Sequence, residues 1–223
     1  MSSTILDFDF IDAELPKLAV PRKLDRESFP YKGVLTHNYY VQNTGYWCGP
    51  TTAQMILKSR GVNETQGNLA RKLKTDQDGT DYVGLFPPVL NSYLKSAGFT
   101  ATNSPKKEIL WSKVVDSIDA GYGVVANIVA RTYNRPSGYP NYTVWHYVPI
   151  FGYETKGTTR RIFCADSANF SGVKSWWAPL DQMTSLVSEK GIAPAKAGKK
   201  LTYGLDEKQL AEAAINFRQL GPS

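Results

Sequence analysis

The hydrophobic period of this 223-residue chain changes once, near residue 121, and that change decides the fold class. Before it, apolar residues recur at helical spacing. Ala53, Ile56 and Leu57 mark a helix over 49–60, closed by Gly61. Thr65 caps a second helix running to 74, and 89–97 is a third, stopped by Gly98. Ser104-Pro105 opens a fourth, with Ile109, Leu110, Val114 and Ile118 on one face. After residue 121 the period is that of strands. GVVANIVA is a continuous apolar run, and VWHYVPIFGY and RRIFCAD flank a turn at 154–159, which reads as a hairpin. Residues 39–42 are β-like, 135–142 a loop, and 179–189 a short helix. Helices first and an antiparallel sheet second is the α+β pattern, unlike the alternation of β-α units.

The ends are expected to stand apart. Residues 1–32 hold Pro16, Pro21 and Pro30 among mixed charges and read as an arm. The folded domain is expected over 33–190, and 191–223 as a linker followed by an amphipathic helix at 205–220. The longest apolar stretches, such as 124–130, fall far short of the roughly 18–20 residues that cross a bilayer as a helix. MSSTILDFDFIDAELPK carries four acids and lacks the form of a secretory signal, so cytoplasmic synthesis is expected and action outside a cell would need another route of release. Two Cys and two His exclude a disulfide-dense scaffold and a four-Cys zinc site. No metal or organic cofactor is expected. The net charge is +6, with +7 concentrated in 31–180. A basic body points to an anionic partner such as a cell-wall polymer. With no Lys/Arg-rich run or nucleic-acid motif, nucleic acid is not expected.

The sharpest local feature is Gln42 followed six residues later by Cys48-Gly49-Pro50, where a loop meets a helix. Backbone N–H groups at a helix start favour an anion, so a thiol there ionises near neutral pH. Gly49 permits close approach of a substrate, and Pro50 suits a first turn that needs no N–H. The Gln42 amide and the Cys48 N–H together would make an oxyanion hole. The plain alternative for Cys48 is a small buried thiol.

A thiolate nucleophile needs a base, and His146 stands in the apolar strand of the hairpin. With the turn centred near Lys156-Gly157, His146 lies opposite Asp166 or one residue beside it, where a carboxylate can orient the imidazole. A one-residue error in that turn would put the two on opposite faces. His37 is the competing base, without an acid nearby. Cys164 shares strand parity with Asp166 and is expected to be structural. Trp47, Gly49, Asp81, Trp145, Trp176 and Trp177 are the candidate substrate contacts. Tyr133, Tyr139 and Tyr142 lie in the loop before His146, as a grip or as a solvated lid.

The order Gln42, Cys48, His146, Asp166 resembles papain-like cysteine peptidases, and TGYWCGPTTAQMIL resembles the branch that trims bacteriocin leader peptides. VLTHNYYVQNTGYWCGPTTAQ, DGTDYVGL, SIDAGYGVVANIV, VWHYVPIFGY and the ADS at Asp166 look most like the peptidase domain of actinobacteriophage endolysins (lysin A), over about residues 33–190. The resemblance implies a papain-like fold in which a helical part, with the nucleophile at a helix start, packs on a sheet carrying His and Asp. It implies cleavage of peptidoglycan peptide bonds by Cys48, His146 and Asp166, with Gln42 on the oxyanion, during host lysis. The alternatives are a leader-processing protease or acyl transferase on the same fold, and a silent wall-binding module.

Overall fold

The structure, a computed structural model, describes residues 31–196. Residues 1–30 of the expected arm 1–32, and the expected helix 205–220, lie outside them, while Tyr31 and Lys32 belong to a strand. The elements run β1 (Tyr31–Val34), α1 (Cys48–Ser59), α2 (Gln66–Lys72), α3 (Phe86–Tyr93), α4 (Lys107–Asp119), β2 (Val124–Ala130), β3 (Val144–Lys156), β4 (Thr159–Ala165), β5 (Ser175–Pro179), α5 (Leu180–Val187) and β6 (Gly191–Ala193). The strands form one antiparallel sheet ordered β5-β4-β3-β2-β6, and β1 pairs with the far half of β3. The class is α+β, as expected.

Two apolar layers sandwich the sheet. Leu110, Val114 and Ile118 of α4 and Leu180, Met183, Leu186 and Val187 of α5 cover one face, against Ile128, Val148, Ile150 and Cys164. Met55, Ile56 and Leu57 of α1, Leu69 of α2 and Phe86 and Leu90 of α3 cover the other, against Val125, Tyr147 and Phe151. The apolar stripe of each helix therefore finds a sheet face.

The helix boundaries follow local chemistry. Thr65 Oγ1 accepts from the Asn68 N–H at 3.2 Å and caps α2. Gly61, at φ +79°, ends α1 in the left-handed conformation that glycine adopts without strain.

Three local expectations change. Residues 39–42 form no strand, and Gln42 gives its backbone N–H to the Ser167 carbonyl instead of to a neighbouring strand. The helix expected at 89–97 begins earlier, at Phe86, where Pro87 and Pro88 sit in the first turn. The sheet also takes in β1, which straddles the expected start at 33, and β6, just past 190, and both are strands too short for their period to show.

One irregularity positions the site. Near the turn the β3–β4 ladder pairs Lys156 with Thr159 and Gly152 with Phe163, and then Ile150 with Cys164. One extra β3 residue, Phe151, is inserted between those last two pairs. Gly152 occupies the bulge because a Cβ there would lie 2.5 Å from the Gly33 carbonyl oxygen of β1.

Candidate active site

Cys48 is the first residue of α1, and no side chain caps that helix start. The Gly49 N–H of this first turn is therefore left for the thiol. Thr51 secures the turn, with its Oγ1 donating to the Trp47 carbonyl at 2.7 Å. The preceding loop is pinned from both sides. Gln66 of α2 accepts from the Asn43 N–H at 2.8 Å and donates to the Val41 carbonyl at 2.9 Å.

The Cys48 thiol interacts with the His146 imidazole, and both line one cleft of about 210 Å³. Burial pushes the Cys48 pKa up. The His146 imidazole and the backbone N–H groups of Tyr147 and Gly49 overcome that, leaving it below the ordinary thiol value. Burial pushes His146 down, while Asp166 and then Cys48 push it up, and the net direction is upward. A lowered thiol beside a raised imidazole favours the thiolate–imidazolium pair.

Asp166 is almost wholly enclosed, and each of its hydrogen-bond partners favours its ionised form. Its Oδ1 lies 2.9 Å from His146 Nε2 and accepts from the Ala168 N–H at 3.1 Å. Its Oδ2 accepts from the Tyr139 hydroxyl at 2.5 Å and from Trp176 Nε1 at 2.8 Å. Burial raises its pKa, but His146, Tyr139 and Trp176 together bring it below the usual value. With Nε2 taken by Asp166, Nδ1 is the imidazole nitrogen left for Cys48.

The structure thus brings Cys48, His146 and Asp166 together. Asp81 and Trp145 line the same cleft, and Gly49 lies beneath Thr80, whose Oγ1 would be 2.3 Å from a Cβ at that position. Gln42 is held at both ends of its amide. Nε2 donates to the Thr44 carbonyl at 2.9 Å, and Oε1 accepts from Ser167 Oγ at 3.0 Å. One Nε2 hydrogen remains for another acceptor.

Other candidates lie elsewhere. Trp176 is no groove wall, because its indole turns inward to Asp166. Trp177, next along β5, necessarily faces the opposite way and packs on Phe163 and Arg161. Trp47 meets Tyr46 edge-on and reaches toward Gly67 of α2. His37 is no base for Cys48, since its Nδ1 donates to the Leu35 carbonyl at 2.8 Å and its ring stacks on Phe151 at 4.4 Å. Cys164 is buried, and burial followed by Asp166 holds its thiol well above the ordinary value. Tyr133 and Tyr142 are exposed, whereas Tyr139 is buried on Asp166.

Sequence reasoning missed the roles of Tyr139 and Trp176 as donors to Asp166. It also missed four cleft residues, Asp78, Asn127, Tyr147 and Lys190. Asn127 had a signal, as the one polar side chain in an otherwise apolar strand. Tyr139 had none that separated it from the other loop tyrosines.

Among the described residues, no helix is long and apolar enough to cross a membrane, and no group of three or more metal-ligating side chains comes together.

The family model described as Peptidase_C39 like family matches residues 34–188. An uncharacterized protein of Methanothermobacter thermautotrophicus is 34% identical over 58 residues, which are 26% of this chain. The match spans 41% of that relative's length. The peptidase domain of Streptococcus ComA, a bifunctional ABC transporter, is 15% identical with a TM-score of 0.48, over 72% of this chain and 100% of that one. A double glycine motif protease from an AMS/PCAT transporter, solved with its leader peptide, is 14% identical with a TM-score of 0.43, over 74% of this chain and 95% of that one.

Proposed function

The chain belongs to the Peptidase_C39 like family of cysteine peptidases, with a papain-like α+β fold, and we propose that it is an endopeptidase cutting peptide bonds of bacterial peptidoglycan, as endolysin peptidase domains do. The observation that carries the chemistry is the continuous line from the Cys48 thiol through the His146 ring to the Asp166 carboxylate. The substrate is supported by the endolysin-like strings and by the +7 charge of residues 31–180, which suits an anionic wall.

In this reading the Cys48 thiolate attacks a peptide carbonyl carbon, and a C–S bond forms as the carbonyl π pair moves onto oxygen. The Cys48 N–H and the remaining Nε2 hydrogen of Gln42 hold that oxyanion. The C–N bond breaks as His146 Nδ1 gives its proton to the leaving amine. Water then attacks the thioester, His146 takes its proton, and the acid product leaves with Cys48 regenerated. Asp166 keeps Nε2 protonated and Nδ1 aimed at sulfur. The protein is made in the host cytoplasm and meets its substrate once released to the wall.

Purified actinobacterial peptidoglycan is the test, digested and read by mass spectrometry of the new termini. Wild type produces new amino and carboxyl ends within stem peptides or cross-links, and Cys48→Ala produces none. Intact walls alongside cleavage of a double-glycine leader peptide would transfer the activity to leader processing. Cleavage of neither, with Cys48 unlabelled by a thiol reagent at pH 6, would overturn the enzyme.

A further inference from the structure

The cleft that holds Cys48 contrasts in charge with the rest of the molecule. The chain carries +6, yet beyond His146 the charged residues lining the cleft are Asp78, Asp81 and Lys190. None of these three has an ion-pair partner among the described residues. Asp81 acts across the cleft, since after burial and Cys48 it is the next influence raising the Tyr147 phenol.

The inner wall adds an independent observation. Asn127 sits opposite Tyr147 in the β2–β3 ladder and is only 4% exposed. Its Nδ2 donates to the Tyr147 hydroxyl at 2.8 Å, and its Oδ1 has no hydrogen-bond partner among the described residues. Asn127 lines the cleft, so this free acceptor opens onto the cavity. At the mouth stands Trp145, 62% exposed, whose indole face attracts cations and covers aliphatic chains.

An unpartnered acceptor, two unpaired carboxylates and an open indole all favour the same kind of ligand. We propose that this part of the cleft is a subsite for a substrate residue bearing a free ammonium group, the side chain of a diamino acid. Asn127 Oδ1 and the carboxylates of Asp78 and Asp81 receive the ammonium hydrogens, and the aliphatic stem lies on Trp145. The inference rests on the peptidase reading above, and it adds the side chain by which the substrate is chosen.

The probe is a stem tetrapeptide with a free lysine, compared with its Nε-acetyl twin. Binding is measured calorimetrically on Cys48→Ala protein, so that no chemistry intervenes. The free amine should bind roughly fivefold tighter at low salt, the range of a partly exposed ion pair. Asp78→Asn with Asp81→Asn should bring that ratio to about one, with an unchanged circular dichroism spectrum. Equal binding of the twins, a preference that survives the double substitution, or binding of neither would overturn the subsite. Cleavage by the active protein separates the two claims. A lysine preference in binding, with neither peptide cut and no new termini from whole peptidoglycan, keeps the subsite and removes the peptidase reading. Cleavage of both twins at equal kcat/KM removes the subsite and keeps the peptidase.

Discussion

His146 Nε2 meets Asp166 Oδ1 at 2.9 Å because β3 contains one residue more than β4 along the same stretch of sheet. The ladder nearest the turn pairs even-numbered residues with odd ones, as in Gly152 with Phe163. Extended unchanged, it would place His146 and Asp166 on opposite faces. The extra residue at Phe151 reverses the parity, so Ile150 pairs with Cys164 and the even-numbered side chains of both strands share a face. Asp166 then continues the β4–β5 pairing through its N–H to the Lys174 carbonyl, with its carboxylate on the His146 side.

Cys48→Ala should abolish peptide cleavage, a loss of at least about 10³ in kcat/KM, while the fold persists. Cys164→Ala should retain most activity and lose about 1 kcal/mol or more of stability, because it empties part of a fully packed site. Initial rates and urea unfolding of both variants check this. Equal loss of activity from the two would sink the assignment of the nucleophile.

Asp166→Asn should lower turnover by roughly 10²–10⁴ with little change in KM, since the amide can stabilise neither the imidazolium nor its tautomer. Steady-state kinetics at fixed pH reads the split. A nearly wild-type kcat would remove Asp166 from the machinery.

Tyr139→Phe and Trp176→Phe each delete one donor to Asp166 Oδ2. The carboxylate then becomes more basic and its charge is less offset, so while it stays ionised it holds the imidazolium more strongly and the His146 pKa rises further. The thiolate–imidazolium pair persists between the Cys48 and His146 pKa values. The alkaline limb of the kcat/KM profile should therefore move to higher pH in both variants. A profile lowered in height at unchanged limbs would show that the two residues merely support the fold.

Gly152→Ala should cost about 1–3 kcal/mol, because the new Cβ meets the Gly33 carbonyl oxygen and β1 must separate from β3. Urea unfolding measures it. Wild-type stability would mean that β1 yields freely and does not hold the bulge.

The helices α1 and α4 and the strands β2 to β4 were legible because each carries a period long enough to read. The pairing of His146 with Asp166 was reached by a route the structure does not follow. A turn centred at Lys156-Gly157 brings them level without any insertion, whereas the ladder closes between Lys156 and Thr159 and the bulge restores the face. No hydrophobic pattern announces such an insertion, since Ile150 and Phe151 are both apolar and both buried, on opposite faces. Trp176 was misread for a related reason. Adjacent tryptophans look alike in sequence, and only the strand's alternation decides which one turns toward the acid.

Cys48 begins the first helix, while His146 and Asp166 sit on strands made much later in the chain. A chain emerging from the ribosome presents its thiol long before any imidazole or carboxylate exists to activate it. Even a completed chain stays inert until the helical layer docks on the finished sheet, a step governed by contacts distant in sequence and therefore slow to form. Order of synthesis thus acts as a safety catch. A protein that cuts peptides gains that ability only on reaching the compact state in which its own peptide bonds are hardest to cut.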